Sequence, residues 1–375
     1  MRLLPATLIL LCTAAYCFAA VGFDKDGFLT VDGAPYFPVG MYTIQSRGKD
    51  HDAYMKEAHE AGFNTTVFYA LTTETVTPLL DAAGRNGLKA FVYPTMPFSL
   101  RKGTETTDSI TKDIQDKMNH PALLGWYLVD EPEGIGKADP RKTLELYQLV
   151  KKIDPSHPCS LVIMSPKAAS NFKDCADVIW TDPYPIPSKP ASIIGPHTTA
   201  CLNAIAPKPL WVVPQAFDQS VWRTGKVKEI HRPTPEEEHC MTYLALVHGA
   251  KGILFWAHTA SKYYIRDYPD HWEAMKKIAG ELKLLTPVLL TPNSKIQVAV
   301  EGSGIDWMLK EMSGALYLLA VNKDPKPTAV SFTLPDVDKF QAEELFQSRR
   351  LAIEDGSIKD EFKPLEVHVY KLTKP

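Results

Sequence analysis

The chain has 375 residues, 45% of them hydrophobic and 23% charged, which are values of a folded protein and exclude wholesale disorder. Lys and Arg number 41 against 44 Asp and Glu, a net charge of −3 with no basic run, so a nucleic-acid binder built on clustered phosphate contacts is excluded too. The length exceeds one ordinary domain and suits a large domain followed by a small one.

Residues 1–20, MRLLPATLILLCTAAYCFAA, set Arg2 before the apolar stretch Leu3 to Ala15 and end on Ala19-Ala20. This is the pattern of a secretory signal, too short to span a bilayer, so the mature protein is expected to be secreted or periplasmic. No later run is long and apolar enough to span. Cys12 and Cys17 leave with the signal. Cys159, Cys175, Cys201 and Cys240 remain, without a C-x-x-C spacing. One or two disulfides and four buried thiols both stay open for them.

GFLTVDGAPYFPVG, two short apolar runs around Asp32-Gly33, predicts a hairpin. Eight β-branched and aromatic runs follow: FPVGMY (37–42), NTTVFYA (64–70), KAFVYPT (89–95), LLGWYLVDEP (123–132), CSLVIMS (159–165), DVIWTDPY (177–184), PLWVVPQAF (209–217) and KGILFWAHT (251–259). Amphipathic helical stretches such as RKTLELYQLVKKID separate them. The runs are apolar on both faces, as buried parallel strands are, and their alternation with helices predicts a (β/α)8 barrel over residues 21–291. No G-x-G-x-x-G follows the first run, which removes the dinucleotide fingerprint. The last helix is EAMKKIAGELKLLTPVLL (273–290). Short alternating strands then predict an antiparallel β-sandwich over residues 292–375 with a structural role. Asn64-Thr65-Thr66 forms a glycosylation sequon but lies in a predicted buried strand and is set aside.

Active sites of such barrels lie at the C-terminal ends of the strands. That rule selects Tyr42, Tyr69, Thr95, Asp130 and Glu131, Ser165, Asp182 and Tyr184, Gln215, and Trp256 with His258. Asp130-Glu131-Pro132 is the strongest signal, because two adjacent carboxyls repel and one should keep its proton at neutral pH. A protonated acid beside an ionised one can cleave a glycosidic bond, and the aromatics offer faces for sugar rings. Tyr42, Tyr69, Tyr184, Gln215, Trp256 and His258 are therefore expected to bind a carbohydrate. His258 is expected on the same strand face as Trp256. Asp218 is a reserve carboxylate. Tyr263, Tyr264 and Tyr268 are expected to form an aromatic rim, and the loop 217–233, with Trp222 and Arg223, a cover over the substrate. His51 and His59 do not make a metal-binding pair, and no metal or cofactor is expected.

GFLTVDGAPYFPVGMY, GWYLVDEP and PTPEEEHCMTYLALVHGAKGILFW resemble the clan of (β/α)8 glycoside hydrolases, and the C-terminal segment resembles the β-domain that often follows such barrels. The resemblance implies that Glu131 is the general acid/base, with Asp130 where the clan has Asn. It also implies a Glu nucleophile after the seventh strand, where this chain has Gln215, and an amide cannot form the glycosyl ester. Three readings stay open. Asp182 is the second catalytic carboxylate; or Asp130 and Glu131 act as in substrate-assisted N-acetylhexosaminidases; or the barrel binds glycans without turnover.

Overall fold

The computed structural model describes residues 20–43, 50–68, 73–94, 106–134, 138–221, 232–260 and 263–375. Tyr69, Thr95, Trp222, Arg223 and the predicted signal (1–19 of it) lie outside these. The chain opens with an antiparallel sheet of β1 (Val21–Phe23), β2 (Leu29–Val31) and β3 (Ala34–Tyr36). The expected hairpin is β2–β3, with Val31 opposite Ala34. Its two turn residues, Asp32 (φ 52°) and Gly33 (φ 76°), both take the left-handed conformation that a two-residue hairpin requires. Strand β1 was not foreseen.

The parallel strands are β4 (Val39–Thr43), β5 (Thr65–Phe68), β6 (Lys89–Val92), β7 (Leu123–Asp130), β8 (Cys159–Ile163), β9 (Val178–Thr181), β10 (Leu210–Val212) and β11 (Ile253–Ala260). Each pairs with the next, β11 pairs with β4, Val212 opposite Ile253 closes the barrel, and the short β12 (Tyr263–Tyr264) adds antiparallel to β11. Six fall within the runs marked by β-branched and aromatic residues, and β4 and β11 run one residue past theirs. Around them lie α1 (His51–Glu60), α2 (Thr73–Arg85), α3 (Thr107–Lys117), α4 (Pro140–Ile153), α5 (Pro166–Phe172), α6 (Ile194–Ile205), α7 (Pro235–Val247) and α8 (Pro269–Leu289). Their starts are written locally. Thr234 and Glu237 form a capping box ahead of α7, with Pro235 at the first helical position, where its missing N–H has no intrahelical partner to lose. Among the described residues no helix is long and apolar enough to cross a membrane.

Aromatic rings fill the barrel. Trp180 stacks on Tyr127 at 5.0 Å and on Trp211 at 5.5 Å, with Phe91 edge-on to both tryptophans. Small residues opposite make room for them: a Cβ on Gly125 would come 2.3 Å from the Phe91 ring, and one on Gly252 2.9 Å from Trp211. The lumen is therefore a packed floor under the mouth, not a pore.

Beyond α8 come two antiparallel sheets. One orders β14 (Ile305–Met312), β15 (Ala315–Asn322), β20 (Val367–Thr373), β17 (Gln341–Glu344) and β18 (Arg349–Leu351); the other orders β13 (Ala299–Glu301), β16 (Thr328–Thr333) and β19 (Ser357–Phe362). All of β15 is buried, because its two faces serve different cores. Leu316, Leu318 and Ala320 join the interior between the sheets, while Tyr317, Leu319 and Val321 join the barrel core. Helix α7 lies against β14, β15 and β20. His248 Nε2 also meets Asp306 Oδ2 at 2.9 Å across this junction.

Cys159, Cys175, Cys201 and Cys240 are all free and buried, which settles the two alternatives for them in favour of thiols. Asn64 of the sequon bonds inward: its Oδ1 accepts from Val39 N (2.9 Å) and its Nδ2 donates to Phe37 O (2.9 Å).

Candidate active site

Strand β7 delivers Asp130 and, one residue on, Glu131 to the C-terminal mouth of the barrel. Positions three apart on a regular strand face opposite sides. The register slips between Tyr127 and Asp130, and the slip turns both toward the same side, where Tyr127 donates its phenol O–H to Asp130 Oδ1 at 2.6 Å. Bulges of this kind re-aim side chains beside active sites. Glu131 then adopts φ 39°, a left-handed backbone for a side chain other than glycine. Such strain persists where the surrounding structure holds it, commonly at functional positions.

Asp182 follows β9 directly and is only 6% exposed. Its carboxyl and that of Glu131 act on each other at the mouth, and its Oδ1 is buried without a hydrogen-bond partner. Burial, and then the negative charge of Asp130, push the Glu131 carboxyl up to about 7. Burial also pushes Asp182 well above the carboxylate range, helped by Glu131 and Asp130. Glu133 belongs to the same group. Its Oε1 accepts from Ser165 N at 3.1 Å and from Met164 N, its Oε2 is buried without a partner, and burial raises it as well. The charged groups acting on the Glu131–Asp182 pair are thus acids, and the pair holds a proton into the neutral range.

Tyr184 stands beside the pair, half-buried, with its phenol raised by burial and then by Asp182. Its ring meets Phe217 edge-on at 5.0 Å, and Phe217 meets Trp256 at 4.6 Å. These rings form an aromatic wall from β9 to β11. Tyr42 lies lower, edge-on to Tyr127 and Trp180, and its O–H points to the Tyr127 oxygen at 3.4 Å. The mouth therefore gathers Asp130, Glu131, Asp182, Tyr184 and Trp256, with Tyr42 beneath them.

Other expected residues lie elsewhere. Gln215 is fully buried, and its amide is engaged by backbone: Oε1 accepts from Ile186 N (3.0 Å), and Nε2 donates to Ile186 O (2.9 Å) and Phe217 O (3.0 Å). At the end of the seventh strand stands a clamp on the loop after β9, with no carboxylate. His258 does not share the face of Trp256. The register of β11 shifts between Phe255 and Thr259, and the Trp256–Ala257 peptide is cis. The His258 ring packs among Tyr54 of α1, Tyr264 and Trp272 of α8, on the helical side. Burial and then Arg266 lower it to about 4, so it is neutral. The aromatic loop is also tied down. Tyr263 is buried and donates to Ala216 O at 2.9 Å, and Tyr264 donates to Glu57 at 2.9 Å. Arg232 lies over the Tyr268 ring at 3.7 Å. Asp218 is 8% exposed, near the clamp.

Tyr127, Glu133 and Phe217 went unmarked in the sequence. The second Glu of DEPE was visible there, but an aromatic in mid-strand carries no sign that a slip will aim it at a carboxylate.

The chain matches no family model and no curated protein. Solved structures are similar in fold. A glycoside hydrolase superposes with a TM-score of 0.66 at 13% identity, over 95% of this chain and 97% of that one. A family 5 glycoside hydrolase from Bacteroides vulgatus gives 0.63 at 12%, over 95% and 93%. A β-galactosidase from Bacillus circulans sp. alkalophilus gives 0.64 at 8%, over 89% and 99%. The chain has the (β/α)8 fold of glycoside hydrolases, with its C-terminal sandwich.

Proposed function

We propose that the protein is a glycoside hydrolase with Glu131 as general acid. The observation that carries this is the Glu131 carboxyl itself, on a left-handed backbone at the barrel mouth and held up to about 7 by burial and Asp130. Such a group is protonated at mildly acidic pH and can give its proton to a glycosidic oxygen as the C–O bond breaks. The leaving sugar departs as an alcohol, and Glu131, now ionised, can draw a proton from the incoming water. Tyr184 and Trp256 supply ring faces for the sugar. The fold shared with glycoside hydrolases supports the reading by analogy.

For the second group we take Asp182, whose buried carboxyl acts on Glu131 from the end of β9. A substrate-assisted course is the second reading. Its support is Asp130 adjacent to Glu131 together with the amide clamp where a nucleophile would stand. There a 2-acetamido group attacks the anomeric carbon and Asp130 orients it. Asp130→Asn would then cripple hydrolysis of N-acetylhexosaminides, and a thiazoline would inhibit strongly; with Asp182 as the second group, Asp182→Asn abolishes turnover instead.

The test of the main reading is reducing-end release from a panel of aryl glycosides and plant, algal and animal glycans. Glu131→Gln should lower turnover at least about a hundredfold on poor leaving groups, and less on activated ones. Turnover should fall as pH rises through about 7, as Glu131 loses its proton. Binding without release on every glycan would mean a lectin-like barrel. We further propose export, with residues 1–20 removed; N-terminal sequencing of the mature protein checks this.

A further inference from the structure

We infer that Tyr127 is a positioning residue of this site: its phenol fixes the Asp130 carboxylate beside Glu131, with the Tyr42 phenol behind it. The inference rests on the reading of Glu131 as the acid. Buried tyrosines normally find a hydrogen-bond partner, and backbone carbonyls are the usual one. Tyr127 instead donates to a carboxylate on its own strand, at 2.6 Å, a short charge-assisted bond. The bond exists because β7 slips between the two residues; a regular strand would send Asp130 to the opposite face from Tyr127.

The ring that carries the hydroxyl is immobilised. It stacks on Trp180 at 5.0 Å, lies against Tyr93 at 4.8 Å and meets Tyr42 edge-on at 6.1 Å. Tyr42 gives its own O–H toward the Tyr127 oxygen at 3.4 Å, which polarises the Tyr127 O–H toward Asp130. Burial and then the Asp130 charge keep the Tyr127 phenol well above its usual value, so it is a donor at every working pH. Asp130 so held keeps its negative charge next to Glu131. Among the described residues, the titratable groups around that charge are Tyr127, Glu131 and Asp182, with Tyr184. Glu133 feels it as well. The packed aromatic floor thereby sets the electrostatics of the mouth above it.

A hydrogen bond to the charged form of an acid lowers its pKa. Removing the Tyr127 hydroxyl must then raise the pH at which Asp130 takes a proton, by about 1 to 2 units. The experiment is a carbon-13 carboxyl titration of wild type, Tyr127→Phe and Tyr42→Phe, with pH–rate profiles on a glycoside that the wild type cleaves. Tyr127→Phe should move the Asp130 titration up by that amount, and Tyr42→Phe in the same direction by less. On the substrate-assisted reading, where Asp130 must be ionised, the acid limb of the rate profile should move up with it while the alkaline limb, set by Glu131, stays. A structural tyrosine would scale the whole profile and leave the limbs in place. An Asp130 titration unmoved in folded Tyr127→Phe overturns the inference. If Tyr127→Phe does not fold, an unmoved titration in Tyr42→Phe overturns it. If the wild type cleaves nothing, the hydrolase reading fails, while the titration still decides what Tyr127 does.

Discussion

On the sandwich, Asp360 is ringed by donors. Arg349 reaches it with both terminal nitrogens at 3.0 and 2.7 Å, Tyr370 at 2.8 Å and His368 Nδ1 at 3.0 Å. At the barrel mouth, Asp182 is buried more deeply and faces other acids. Burial alone would raise both carboxyls. On the sandwich the bonds from His368, Arg349 and Tyr370 outweigh it and hold Asp360 far below the usual range. Around Asp182 and Glu131 the described residues set carboxyls in place of such donors, and both go up. A satisfied buried carboxylate joins parts of a fold: here β19 of one sheet to β18 and β20 of the other. An unsatisfied one raises the free energy of the fold around it and keeps its proton available.

The largest effect that tests this contrast is loss of the sandwich network. Asp360→Asn removes the charge that Arg349 and His368 were placed around and should lower stability by about 3 kcal/mol or more in denaturant unfolding, with turnover per folded molecule unchanged. A loss below about 1 kcal/mol would make the network a surface feature. Next is the amide clamp. Gln215→Ala leaves Ile186 N unsatisfied in the interior, while Ile186 O keeps its bond from Gln219 Nε2 at 2.9 Å, and should lower stability by about 2 kcal/mol; loosening of the loop that carries Tyr184 should appear as a raised KM. The smallest effect has the opposite sign. Glu131→Gln should stabilise the protein by about 1 kcal/mol at pH 8, a modest gain because Glu131 is partly exposed.

The two regions also answer pH differently. Asp360 binds its proton less readily when folded, so its contribution is present above the unfolded value of about 4 and is lost as pH falls below that. Glu131 binds its proton more readily when folded, so stability declines as pH rises from about 4 toward about 7. Unfolding free energy followed across pH should show both limbs in wild type. Glu131→Gln should flatten the upper one and Asp360→Asn the lower.

What could be read from the sequence depended on how local its cause was. The eight barrel strands announced themselves through runs of Val, Ile, Phe and Trp, and the strand-end rule placed Glu131 and Asp182 on a short roster that the fold gathers at the mouth. Each departure has a non-local or irregular cause. Gln215 is bound to Ile186, whose position the sequence around Gln215 does not encode. His258 was assigned a face by counting residues in twos, and β11 breaks that count; the slip in β7 that aims Tyr127 at Asp130 has no local sign either. Strand β1 is three residues long and pairs only with β2, too short for alternation to register.

Strand β15 has a consequence for how the molecule comes apart. Its alternate side chains belong to two interiors at once, so neither can melt without stripping one face of a strand that the other still needs. The barrel and the sandwich should behave as one cooperative unit, with a single calorimetric peak and one denaturant midpoint whether the probe sits on Trp211 or Trp307. For the same reason the sandwich is poorly placed to be exchanged as a cassette. A substitute would have to bring its own Tyr317, Leu319 and Val321 to the flank of α7, in the same register.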